Sequence, residues 1–173
     1  MSEIADLLRR SDLRDDGASR MSAARVFGDR DELSELLDEL RLGDGRTRIR
    51  AAKAIRRVAV RRSEWMTAHI DRFYECGSLH EDAPTRYALA QLTPVLLSHM
   101  NGAQIEVAVA MLERNLHHSD REVVAMSIGS AAATVRRSVA SFDRFEPALR
   151  KLLADPRDGI AELAGYYLSK LNC

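Results

Sequence analysis

The sequence predicts an all-α protein, and three observations carry that prediction. Apolar residues recur with helical spacing, most clearly as Leu33, Leu36, Leu37 and Leu40 at i, i+3, i+4, i+7. Helix punctuation recurs along the chain as glycine stops, prolines at helix starts and capping-box pairs. Aromatics are only 5% while hydrophobic residues reach 46% and alanine is abundant, which favours closely packed helices over sheets. The 173 residues suit one sizeable core, so a single domain over 1–173 is expected.

The elements follow in order. Ile4, Leu7 and Leu8 mark a short first helix, closed by the polar loop SDLRDDG. A second spans about Ala18 to Phe27 and stops at Gly28, in the place of a C-terminal glycine cap. Asp29 and Glu32 resemble a capping box ahead of the leucine stripe. After the turn LGDG comes GRTRIRAAKAIRRVAVRR, Gly45 to Arg62, with eight basic residues and no acidic one. On a helical wheel Val58, Ala51, Ile55, Ala59 and Ala52 fill one arc of about 120°. Arg46, Arg50, Lys53, Arg57 and Arg61 fill a second arc of about 80°, with Arg56 at its edge. A core-seated helix with a positive stripe turned outward is expected. Helices follow at about Trp65 to Cys76, and from Pro84 onward with a kink at Pro94, where the ring opposes the Ala90 carbonyl. Others span about Ala103 to Leu116, Val123 to Val139 behind a Ser119/Glu122 capping box, Phe142 to Ala154, and Pro156 to Leu171. Leu36, Leu37, Ile55, Val58, Leu92, Val95, Leu112, Ile128 and Leu168 are the expected core. Tyr166 and Tyr167, about 100° apart on one helix, cannot both point inward.

The second members of successive helix pairs superpose as RMSAARVFG, RIRAAKAIR, TRYALAQLT, VAMSIGSAA and AELAGYYLS. Small residues recur at the fourth position (Ala23, Ala51, Ala88, Ser127, Ala164) and larger or apolar ones at the eighth (Phe27, Ile55, Leu92, Ala131, Leu168). On these segments, and best on DGASRMSAARVFG, LHHSDREVVAMSIGSAAA and LLADPRDGIAELAGYYLSKL, nearly the whole chain resembles a HEAT-repeat protein. A plain irregular helical bundle is the alternative. The first spacing is short, Ser127 stands where the family favours Ala, and Pro94 interrupts a helix. The resemblance implies a right-handed α-α superhelix of about four to five HEAT-like helical hairpins. It also implies that second helices line the concave surface and first helices the convex one.

Formal net charge is zero, so any electrostatic function must come from charge segregation. On the division that the resemblance implies, the second helices carry 16 basic against 3 acidic residues and the first helices 9 against 15. A basic concave face is the consequence. Its candidate partner-binding residues are Arg46, Arg50, Lys53, Arg57, Arg61, Arg20, Arg86, Arg136 and Arg137. The opposing explanation is that the neighbouring acidic helix DRDELSELLDELR neutralises part of the stripe.

Chemistry has little support. Cys76 and His80 with Glu81 and Asp82 have no second half of a metal site, and neither a nucleophile elbow nor a glycine-rich phosphate loop occurs. Some HEAT-like proteins are DNA glycosylases that hold an alkylated base with Trp and Tyr against an Asp. Here only Trp65, with Asp71 six residues on, is present, and that pattern does not carry the resemblance. The expectation is therefore no enzyme, no catalytic residues, no cofactor, no metal and no evident small-molecule substrate. A non-catalytic scaffold or adaptor is expected, holding a protein partner with an acidic surface or segment. The alternative is a nucleic-acid binder that follows the phosphate backbone with the same arginines. Zero net charge and few aromatics favour the protein partner, and the dominance of Arg over Lys favours the nucleic acid. The longest uncharged run, Tyr87 to Ile105, is broken by Pro94 and Gly102 and is no membrane span. Two cysteines, Cys76 and Cys173, and an N-terminus unlike a signal peptide point to the cytoplasm.

Overall fold

The computed structural model describes residues 3–137 and 139–171, so Cys173 lies outside the described residues. Those residues are helical nearly throughout, with no strand among them. They group into two compact units, Met1–His99 and Met100–Cys173, where the sequence suggests one domain.

The first unit contains α1 (Glu3–Arg9), α2 (Asp15–Gly28), α3 (Leu33–Leu42), α4 (Gly45–Arg61), α5 (Ile70–Leu79) and α6 (Ala83–Leu96). The basic helix α4 is its hub, packed against α2, α3 and α6. Its alanines, with Ile55 and Val58, let those helices come close, and every apolar position of the 120° arc is buried. Consecutive helices pair as α1–α2, α3–α4 and α5–α6, the second members α2, α4 and α6 pack in series, and α3 touches both α1 and α5. Gly43 ends α3 where a Cβ would lie 2.5 Å from the Glu39 carbonyl oxygen and 2.8 Å from the Thr47 side chain. Only glycine permits that approach of α3 to α4.

The second unit contains α7 (Gly102–Asn115), α8 (Arg121–Arg136), α9 (Glu146–Leu152) and α10 (Ile160–Leu171). Here α7 pairs with α8 and α9 with α10, and α8 packs on α10. Arg144 ties its segment to α7 through Glu113, at 2.8 Å, and Glu106, at 2.7 Å. Tyr166 is 52% exposed and Tyr167 is half-buried, the outcome that their 100° separation dictates.

Aspartates set the helix starts. Asp44 accepts from Thr47 N at 2.8 Å, Asp82 from Thr85 N at 3.1 Å, and Asp120 from Glu122 N and Val123 N at 2.9 and 3.1 Å. The three are equally spaced in the sequence and each precedes the second helix of a pair.

Several boundaries differ from expectation. The helix α2 begins at Asp15, because its opening acids suit a helix N-terminus, and Gly28 is its last helical residue rather than a left-handed cap. The Asp29/Glu32 capping box does not form: Asp29 accepts from Asp31 N at 3.0 Å, and Glu32 turns to Arg25 instead. The Ser119/Glu122 box gives way to Asp120, while an unexpected one forms between Asn101 and Gln104. The segment Ser63–His69 is 3-10 rather than α, and α5 runs on to Leu79. The helix α6 runs through Pro94 and gives way to a 3-10 turn, Leu97–His99. Pro156 does not open α10, which starts at Ile160 after Gly159 adopts a φ of 72°. Of the nine expected core residues eight are buried, and Val95 is half-buried.

Candidate interaction groove

The stripe of α4 divides into arginines spent on the fold and cations left to solvent. Arg50 is the largest departure from expectation, for it is wholly buried. Its Nη1 donates to Leu8 O at 2.7 Å and Arg10 O at 2.8 Å, Nη2 donates to Leu13 O, and Nε donates to Asp15 at 2.9 Å. One guanidinium thus satisfies the C-terminal end of α1, the loop behind it and the first residue of α2. Wheel geometry misplaced it because a wheel sorts residues by polarity, whereas a fork of five donors satisfies buried carbonyls that no apolar residue could. Arg86 is likewise buried and paired with Glu81, so it presents no cation at the surface.

Arg46 donates to Asp15 and to Leu13 O, both at 3.2 Å, and Arg57 pairs with Asp16. Arg20 also reaches Asp16, at 3.4 Å. The counter-charges to the stripe therefore come from the start of α2. The acidic helix α3 serves other arginines: Glu39 holds Arg9, and Asp38 holds Arg72. Arg50, with Arg46, keeps the Asp15 carboxyl below its ordinary pKa. Arg136 and Arg137 belong to the second unit, where Arg136 lies 5.5 Å from the Tyr167 ring centroid.

Lys53, Arg56 and Arg61 are exposed and have no carboxylate partner among the described residues. Arg56 and Arg61 border a groove of about 370 Å³ between α2 and α4. Its apolar floor is Ala23, Ala24 and Phe27 of α2 with Val60 of α4, and its rim is Arg20, Arg56, Arg57 and Arg61. These residues meet because Arg20/Ala24, Ala23/Phe27, Arg56/Val60 and Arg57/Arg61 are i, i+4 neighbours on two helices in contact. Val60 is 62% exposed, so apolar surface is open to solvent there. Phe27 packs at 6.2 Å against Trp65, and a second depression lined by Phe27, Arg61, Arg62 and Trp65 lies beside the groove. The aromatic rings already carry cations: Arg61 lies 5.5 Å from the Phe27 centroid, and Arg30 and Arg62 lie 6.0 and 5.8 Å from that of Trp65.

The sequence places Arg56 only at the edge of the stripe and marks Phe27 only as the large residue at the eighth position of its repeat segment. Arg57, one residue on, pairs with Asp16, whereas Arg56 has no carboxylate partner among the described residues. The signal for Phe27 and Trp65 was weak, since nothing local indicates that two half-buried rings from different helices meet.

Elsewhere, His80, Cys76, Ser63 and His99 make contacts within the first unit. The His80 Nε2 donates to Arg41 O at 2.7 Å, so that nitrogen is not available to a metal. Burial pushes the Cys76 thiol up to about 11. Ser63 Oγ and His99 Nε2 are 2.9 Å apart, but no carboxylate partner of His99 occurs among the described residues. No group of three or more His, Cys, Asp or Glu is placed to hold a metal among the described residues. No helix among them is long and apolar enough to cross a membrane. Comparisons with protein-family models, with curated proteins and with solved structures find no match to this chain.

Proposed function

We propose that the chain is a non-catalytic scaffold or adaptor of HEAT-like α-solenoid form, whose α2–α4 groove binds an acidic surface or segment of a protein partner. One observation carries the reading: Arg56 and Arg61, with no carboxylate partners among the described residues, border a groove with an exposed apolar floor. Four arginines line it, and among the described residues the acid paired with any of them is Asp16, shared by Arg20 and Arg57. Like charges at i, i+4 on a helix cost a few tenths of a kcal/mol, and an anionic partner offsets that cost. The solenoid form is supported by the paired helices and by the serial packing of α2, α4 and α6. A cytoplasmic setting goes with this proposal and is supported by the buried free thiol of Cys76.

A nucleic-acid backbone fits the same arginines. Against it stands the state of the rings, since Phe27 and Trp65 have guanidinium groups against them where bases would have to stack. Trp65 is the only tryptophan in the chain and packs against Phe27 of the groove, so its emission reports occupancy through that ring. Titration with a short polyglutamate peptide and, separately, with single-stranded oligothymidylate distinguishes the two. The proposal expects saturable, salt-sensitive binding of the peptide that Arg56→Glu and Arg61→Glu weaken about tenfold or more, with melting unchanged. Binding of the oligonucleotide alone would refute it.

A further inference from the structure

Resting on that reading, we infer that the groove takes an acidic segment through one bulky aliphatic anchor, seated on Ala23, Ala24 and Val60, while flanking carboxylates meet the rim arginines. A flat basic surface would bind any polyanion by charge alone. This one is concave and two-toned: small residues on one helix and an exposed valine on the other leave an apolar slot, and guanidinium groups surround it. Its volume of about 370 Å³ is at the low end of the roughly 300–1,000 Å³ typical of ligand pockets. That is room enough for one aliphatic side chain. Phe27 and Arg61 line both the slot and the neighbouring depression, and Arg61 lies against the Phe27 ring, so an anchor there meets a ring that already carries a cation. The chemistry on both sides is complementary: apolar surface covers apolar surface, and carboxylates replace water around Arg56 and Arg61.

The test uses two peptides that differ only at the anchor: glutamates flanking a central leucine, and the same with a central alanine. Trp65 emission is followed with the full chain at two salt concentrations. The leucine peptide is expected to bind about tenfold more tightly, or about 1.4 kcal/mol, because part of its extra hydrocarbon leaves water in an open slot. The difference should survive added salt while both affinities fall. Ala24→Leu, at an exposed helical position, fills the slot without altering charge and should bring the leucine peptide down to the affinity of the alanine peptide. Equal binding of the two peptides to the parent, still lost on Arg56→Glu, overturns the anchor and leaves the acidic-partner reading intact. Binding of neither peptide overturns both. An anchor preference undiminished in Ala24→Leu places the anchor elsewhere and overturns the inference.

Discussion

Replacing Arg50 by methionine tests how the basic helix is used. Methionine keeps much of the volume and apolar stem but removes every donor, leaving the carbonyls of Leu8, Arg10 and Leu13 and the Asp15 carboxylate without the group that joins them. A stranded buried acceptor costs about 1–3 kcal/mol, and breaking a buried ion pair about 3–5 kcal/mol. Asp15 is 39% exposed and water reaches it once the guanidinium is gone, so the whole change is expected to be about 3–5 kcal/mol rather than the sum. For a chain of this length that lowers the melting temperature by roughly 10 °C. Arg50→Lys should recover part of the loss, because one ammonium cannot reach all four acceptors. Urea unfolding followed by Trp65 emission reads the first unit, where both residues lie. Arg56→Met is the control and should stay within about 0.5 kcal/mol of the parent. If Arg50→Met costs less than about 1 kcal/mol, the view of Arg50 as a clamp on the α1–α2 loop is wrong.

Other outcomes follow from single contacts. Ser127 Oγ is buried with no hydrogen-bond partner among the described residues, so Ser127→Ala should raise stability by about 1 kcal/mol in urea unfolding, and a loss would point to a hidden partner. Ile55 is fully buried at the centre of α4, and Ile55→Ala should cost about 2–5 kcal/mol by the same measurement. Hydrogen bonds from the Arg157 side chain and backbone hold Asp155 down from its ordinary 3.8 to about 2. A depressed carboxyl stabilises the fold above its unfolded pKa, so this contribution is present above about pH 4 and fades as pH falls toward 2. In acid titrations followed by circular dichroism, Asp155→Asn should flatten that part of the profile.

Much of the fold was legible in the sequence because helical periodicity is a local property. The leucines of α3 and the alanine-rich face of α4 announce burial by spacing alone, and eight of the nine expected core residues are buried. Helix ends were less legible. A serine, aspartate or asparagine near a helix start can cap, and the choice among neighbours such as Ser119 and Asp120 depends on backbone angles set by packing.

The sequence by itself determined that this chain is all-helical and that its positive charge concentrates on α4. Both follow from the order of residue types along one helix. Only the tertiary structure decided which of those charges remain available. Arg50, Arg46 and Arg57 meet Asp15 and Asp16 across more than thirty residues of chain, as the contact separations of 31, 35 and 41 show. Arg56 meets no acid among the described residues, although it adjoins Arg57 in sequence. The physical reason is that a charge is cancelled by what lies within a few ångströms in space, and a helical wheel holds only one of the two partners.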